Sequence, residues 1–256
     1  MTHVSSLTLA LLALASFGAG FVDAIAGGGG LLTVPSLVAA GLPPHFVLGT
    51  NKGQAVFGAV TSLASFWRKG ALARDRVGLG LLTGFIGSCL GTALVLYVRP
   101  EPLRPLIVVL LLIALLLVFG ARALRARGAD RAYASTSAWR FGAIAIAMGA
   151  YDGFFGPGTG SLLIAAFVAF MGESETRASG NAKIVNFASN AAALLVFAWN
   201  AKVLWSISLP MAAANAGGAW LGARSVFRGG DKLVRWVLTA VVLALSAKLL
   251  VGFARP

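Results

Sequence analysis

The chain has 256 residues, 58% of them apolar and only 11% charged, and its mean hydropathy is +0.86. A soluble domain of this size needs far more polar surface, so the composition excludes a water-soluble enzyme and makes the bilayer the solvent. The net charge of +13 would suit nucleic acid in a soluble protein, but here Lys and Arg cluster in short segments between apolar stretches, which reads as topology and contact with anionic lipid, not nucleic acid.

In chain order, stretches long enough to span run from Ser6 to Ala26, His45 to Trp67, Val77 to Val98, Leu103 to Gly120, Trp139 to Phe155, Asn181 to Trp199, Val203 to Ala223 and Leu233 to Gly252. Each has the roughly 20 residues a helix needs to cross about 30 Å of hydrocarbon. Two shorter apolar pieces, Leu31 to Ala40 and Ser161 to Met171, each follow a glycine-rich break. The expected fold is therefore an all-α integral membrane protein of about eight transmembrane helices plus two half-helices. Ala24-Ile25-Ala26 resembles a small-residue cleavage site, but no Lys or Arg precedes it, so the first stretch is expected to remain as a mature helix.

The chain repeats itself. Asp23 and the break Gly27-Gly28-Gly29-Gly30 align, at one fixed offset, with Asp152 and Gly156-Pro157-Gly158-Thr159. Thr50-Asn51-Lys52 aligns with Asn181-Ala182-Lys183 at a slightly larger offset, as a small insertion between the two motifs would produce, and Phe66 meets Phe197 at that same second offset. Internal repeats are usual in secondary transporters. The expected organisation is a first repeat over 1–121, a basic interrepeat loop over 122–138 and a second repeat over 139–256.

Loop charge bears on orientation. Four Lys and Arg lie between Arg68 and Arg76, five between Arg122 and Arg140, and four between Arg224 and Arg235. All three segments should be cytoplasmic. Eight simple crossings with parallel halves put one on the wrong side. If each short segment adds a pass, giving five per half, inverted halves and both termini outside, all three agree.

Only eight acidic residues exist, and Asp23 and Asp152 are the two that adjoin apolar stretches at the breaks. A carboxylate at membrane depth costs about 2.5 to 3.5 kcal/mol on insertion scales and serves a pathway or pairs with a cation. Both are candidates for proton coupling or for pairing with a lysine, against the simpler role of tying down a helix end. Gly28, Gly29, Gly30, Gly158, Thr159 and Gly160 sit where helices cannot propagate well, and the half-helices that follow would aim N-terminal N–H groups at the break. That geometry favours an anion. Lys52 and Lys183, beside Asn51 and Asn181, would complete a seat for a small oxyanion, the alternative being lysines that snorkel to the interface. Asn186 and Asn190 share one helix face and line a polar cavity or join helices.

Other features read as structure. Lone Cys89 supports neither a disulfide nor a metal site, and His3, His45 and Lys248 carry no site geometry. Gly84, Gly87 and Gly91, with Gly217, Gly218 and Gly222, suggest close packing inside the repeat or between protomers of a homo-oligomer. Trp67, Trp139, Trp199 and Trp205 fall near span ends, as an aromatic belt does. No catalytic set, cofactor motif or nucleotide-binding domain is expected.

At Gly20-Phe21-Val22-Asp23-Ala24-Ile25-Ala26-Gly27-Gly28-Gly29-Gly30, at Leu48-Gly49-Thr50-Asn51-Lys52 and at Asn181-Ala182-Lys183-Ile184-Val185-Asn186-Phe187-Ala188-Ser189-Asn190, the sequence resembles the sulfite exporter TauE/SafE family, also known as toluene sulfonate uptake permeases. The resemblance implies an inner-membrane permease for small anions such as sulfite, sulfonates or sulfoacetate, with protons as a coupling partner. It carries the site onto the glycine breaks, Asn51, Lys52, Asn181 and Lys183. A passive anion channel and a membrane protein handling an anionic lipid headgroup are the competing readings.

Overall fold

The computed structural model describes residues 4–128 and 137–226, all helical apart from short connections. The expected span at Leu233 to Gly252, Lys248 and His3 lie outside them. Helix α1 (Ser6–Ala26) begins at an N-cap, where Ser5 accepts from the Thr8 N–H at 3.1 Å, and stops at Gly27, whose φ of 75° is left-handed. Then follow α2 (Gly30–Ala39), α3 (Pro44–Arg68), a 3₁₀ turn (Arg74–Arg76), α4 (Val77–Tyr97) and α5 (Pro100–Gly128). The second stretch holds α6 (Ala138–Phe154), α7 (Thr159–Met171), α8 (Glu175–Trp199) and α9 (Trp205–Val226).

The expected spans differ from the helices chiefly where polar residues are helical. Helix α8 starts well before Asn181, at the Ser174 cap and the polar turn that follows it, and α5 continues through the arginine-rich stretch to Gly128. Among the described residues four helices are long and apolar enough to cross a membrane by themselves: Ser6–Ala26, Arg74–Tyr97, Pro100–Val118 and Glu175–Trp199. Helix α3 carries Asn51, Lys52 and Gln54 on its buried face, and α6 has 17 residues.

The molecule exposes large apolar side chains and hides charged ones inside. Leu90 is 62% exposed and Leu116 70%, whereas Lys52 and Lys183 are each 2% exposed. A lipid-facing surface accounts for this inversion, because hydrocarbon gives no reason to hide leucine and every reason to hide charge. Trp67, Trp139, Trp199 and Trp205 all lie exposed at helix ends, as expected of an aromatic belt.

Contacts fix helix directions. Gly49, near the start of α3, abuts Phe197 and Lys202 at the far end of α8, while Gly180, near the start of α8, abuts Ala71 just past α3. These two helices are therefore antiparallel. Helix α4 runs with α8, through Gly84 against Val185 and a bond from Ser88 Oγ to the Ser189 carbonyl (2.6 Å). The basic segments around Arg68–Arg76, Arg140 and Arg224 consequently lie at one end of the bundle, the basic end; the connections at 40–43, 98–99 and 200–204 lie at the other.

The glycine stripes pack neither within one half of the chain nor at a free surface. Gly87 and Gly91 seat α4 on Ile146 and Ala150 of α6, and Gly218 and Gly222 seat α9 on Phe17 and Phe21 of α1. Each half thus closes against the other. Backbone features recur at the offset that relates Lys52 to Lys183: α3 and α8 both have 25 residues, Gly41 and Gly172 both have positive φ, and so do Gly70 and Ala201. The N–H of Ala71 bonds the carbonyl of Phe66 at 3.1 Å, and that of Lys202 bonds Phe197 at 2.9 Å.

Candidate substrate site

The two glycine breaks meet at the centre of the bundle. An added Cβ at Gly27 would lie 2.3 Å from the Gly160 backbone, so only glycine admits this approach. The Ser161 N–H, at the N-terminus of α7, donates to the Gly27 carbonyl at 2.8 Å, and Ser161 Oγ donates to the Ala26 carbonyl. The chain ends exposed by one break are thus partly satisfied by the other.

Around this crossing the charged groups pair between halves. Lys52 Nζ on α3 lies 2.8 Å from Asp152 Oδ2 at the end of α6, and both side chains are almost fully buried. Lys183 Nζ on α8 donates to the Asp23 main-chain carbonyl at the end of α1 and lies 4.0 Å from Asp23 Oδ2. Two crossed ion pairs result, one buried and one with the Asp23 side chain 23% exposed, each joining the lysine of one half to the aspartate of the other. Desolvation makes a single buried charge cost several kcal/mol, so Asp152 supplies the counter-charge that burial of Lys52 demands. Asp152 Oδ2 also accepts from Ser189 Oγ at 2.6 Å, and Asp23 Oδ1 accepts from the Gly29 N–H at 3.3 Å.

A narrow cavity of about 30 Å³ opens beside the crossing. It is lined by Asp23, Gly27, Gly29 and Gly30, by Asn51, Lys52, Gln54 and Ala55, by Asp152, Gly156, Gly158, Thr159 and Gly160, and by Asn186, Asn190 and Asn215. Two amide chains feed into it. Ser16 Oγ donates to Gln54 Oε1 (2.7 Å), Gln54 Nε2 to Asn51 Oδ1 (3.0 Å), and Thr33 Oγ1 to the same oxygen (2.5 Å). Lys52 Nζ donates to Asn190 Oδ1 (3.3 Å), and Asn190 Nδ2 donates to Asn186 Oδ1. Each chain ends by occupying the carbonyl oxygen of an asparagine.

Most candidates from the sequence converge here: Asp23, Asn51, Lys52, Asp152, Asn186, Asn190, Gly29, Gly30, Gly158, Thr159 and Gly160. Gly28 is buried beside them but does not line the cavity, nor does Lys183, which bonds the lining residue Asp23. Asn181 is elsewhere. Its Nδ2 donates to both carboxylate oxygens of Glu173, at 3.0 and 2.9 Å, and its Oδ1 accepts from the Ala73 N–H at 3.4 Å. The reason lies in register: Asn181 corresponds to Thr50, whose Oγ1 accepts from the Leu204 N–H at 3.1 Å, and not to Asn51. Gln54 and Asn215 were not singled out by sequence. A glutamine one helical turn after Asn51 shares its face, which is the signal that could have found it.

A family model described as "Sulfite exporter TauE/SafE" matches residues 12–249. Similar proteins include a "Probable membrane transporter protein" of Haemophilus influenzae, 37% identical over 243 residues that make up 94% of each chain. The "Probable membrane transporter protein YfcA" of Escherichia coli K12 is 38% identical over 248 residues, 96% of this chain and 91% of the relative. A third, "Probable membrane transporter protein ORF9" of Sinorhizobium sp, is 35% identical over 249 residues, 97% and 94% of the two chains. No solved structure gives a significant match.

Proposed function

The chain belongs to the sulfite exporter TauE/SafE family, and we propose that it is a proton-coupled secondary transporter of small anions, with sulfite, sulfonates and related organosulfur anions as its substrate class. It is a multi-pass membrane protein of a transporter family, not an enzyme. The observation that carries the finer reading is the crossed pairing of Lys52 with Asp152 and of Lys183 with Asp23 around a polar cavity.

Each pair is neutral at rest, so the lysine is available to an anion only when its carboxylate lets go. Protonation of Asp152 removes its charge, leaves Lys52 with an unbalanced positive charge in a low-dielectric site, and makes an anion the natural replacement. Proton and anion then bind together and leave together. The amides of Asn51 and Asn186, whose oxygens are already occupied, offer their N–H₂ groups to the same oxyanion.

We read the two halves as inverted repeats. The antiparallel course of α3 and α8 and the backbone features that recur at a fixed offset support this, as does the gathering of the basic segments at one end. By charge that end faces the cytoplasm. Helices α2 and α7, of 10 and 13 residues, return from the central crossing without needing to cover the full bilayer. Flux of sulfite and small sulfonates into proteoliposomes tests the function: saturable uptake driven by a pH gradient supports it, whereas linear, gradient-independent flux indicates a channel, and none leaves the anionic lipid headgroup as the alternative.

A further inference from the structure

The two ends of the bundle are closed by opposite chemistry. At the basic end Arg76 Nη1 lies 3.3 Å from Glu173 Oε1, and Asn181 Nδ2 bonds both oxygens of that carboxylate. The Arg76 guanidinium also covers the Phe141 ring, 5.2 Å from its centroid, and contacts Met171 Sδ at 3.6 Å. Arg76 is 5% exposed and Glu173 2%. The cluster ties the α3–α4 connection to the α7–α8 connection, with α6 beneath.

At the other end, the offset that relates Lys52 to Lys183 makes Ile207 the counterpart of Arg76, Leu42 that of Glu173 and Thr50 that of Asn181. The offset that relates Asp23 to Asp152 makes Leu12 the counterpart of Phe141. The correspondence is local as well as numerical: the N–H of Arg76 bonds the Ala73 carbonyl at 2.9 Å as that of Ile207 bonds Leu204 at 3.1 Å, and Leu42 and Glu173 each follow a positive-φ glycine. Leu12, Leu42 and Ile207 belong to one buried apolar cluster.

We infer that Arg76, Glu173 and Asn181 form a hydratable gate at the basic end, which opens more readily than the apolar closure built from Leu12, Leu42 and Ile207. Opening an apolar closure exposes hydrocarbon to water, at a cost that grows with area. Opening a buried ion pair returns both ions to water and recovers the hydration that burial removed, so most of the lost attraction is made up. Burial pushes the Glu173 carboxyl above its ordinary range, against the lowering pull of the Asn181 amide and of Arg76 and Arg177, with Asp75 adding to the rise. The closed gate thus holds its charge reluctantly. This inference rests on the reading of the chain as a secondary transporter, whose central site opens to each side in turn, but its test requires no substrate.

Ala55 lines the cavity, and Ala55→Cys in a Cys89→Ser background reports access from either face. The readout is the labelling rate with a membrane-impermeant thiol reagent in sealed right-side-out and inside-out vesicles. Labelling from the basic face is expected to be several-fold faster than from the opposite face; equal rates, or the reverse, overturn the inference. The triple variant Arg76→Ile, Glu173→Leu, Asn181→Thr copies the apolar closure onto the basic end and should bring the faster rate down to the slower one, while an unchanged ratio overturns the inference. If that variant does not reach the membrane, the ratio in the single-cysteine protein decides alone. Anion flux can fail while the labelling asymmetry holds, which separates the gate from the transport reading.

Discussion

Lys52 Nζ lies 2.8 Å from Asp152 Oδ2, and the two residues come from different halves of the chain. Removing the lysine alone leaves a buried carboxylate without its counter-charge, a change worth roughly 3 to 5 kcal/mol in measured cases. Lys52→Ala is therefore expected to lower thermal stability in detergent markedly, and Lys52→Ala/Asp152→Ala to restore much of it. A double variant no more stable than the single would show that the pair does not hold the halves together.

Asp152→Asn keeps an oxygen for the Ser189 hydroxyl but fixes the site in its neutral form. Anion binding should persist, because Lys52 is permanently released, and flux should stop responding to a pH gradient. The response is read as the ratio of initial rates with and without the gradient. A ratio equal to that of the wild type removes Asp152 from coupling and leaves Asp23 as the remaining candidate.

The central crossing admits no side chain. Gly27→Ala forces a Cβ into the Gly160 backbone from a left-handed conformation, and Gly91→Val drives one into the Ala150 carbonyl, 2.0 Å from the Cβ position. Both should abolish accumulation of folded protein in the membrane. Gly18, with nothing within 4 Å, tolerates alanine with a stability change of about 0.5 kcal/mol or less. Size-exclusion profiles after detergent extraction distinguish the three.

The two asparagines beside the lysines should separate by phenotype. Asn51→Ala is expected to raise the KM for anion flux and to lower stability as well, since it leaves the buried Thr33 hydroxyl and Gln54 amide without their acceptor. Asn181→Ala should lower stability by about 1 to 3 kcal/mol, since it strips the buried Glu173 carboxylate of its amide donor, and should leave KM unchanged. Because burial raises the Glu173 pKa, its folded form binds a proton more tightly than its unfolded form. That contribution is complete below the ordinary carboxylate pKa and is lost as pH rises through the raised one. Unfolding temperatures of wild type and Glu173→Gln should therefore diverge in the alkaline direction, to the cost of the wild type.

Sequence legibility tracked the strength of the physical signal. Helices bounded by hydropathy or by glycine, such as Ser6–Ala26, were legible almost to the residue. The start of α8 was not, because the helical turn Glu175-Thr176-Arg177 is polar and only the Ser174 cap marks it. The paired acids and lysines were legible as candidates because charge is rare in an apolar chain. Their crossed partnership was not, since periodicity along one helix says nothing about which helix faces it. Asn181 faces Glu173 and not the cavity because it shares register with Thr50 and not with Asn51, and register decides which way a helical side chain points.

The most direct test of the central claim is saturable sulfite flux in proteoliposomes by wild type and by Lys52→Ala/Asp152→Ala, a variant that removes one crossed pair without leaving a charge unbalanced. Saturable flux in the wild type that disappears in a folded double variant is the predicted result. Equal flux from both would contradict it and place the anion pathway away from the Lys52–Asp152 pair.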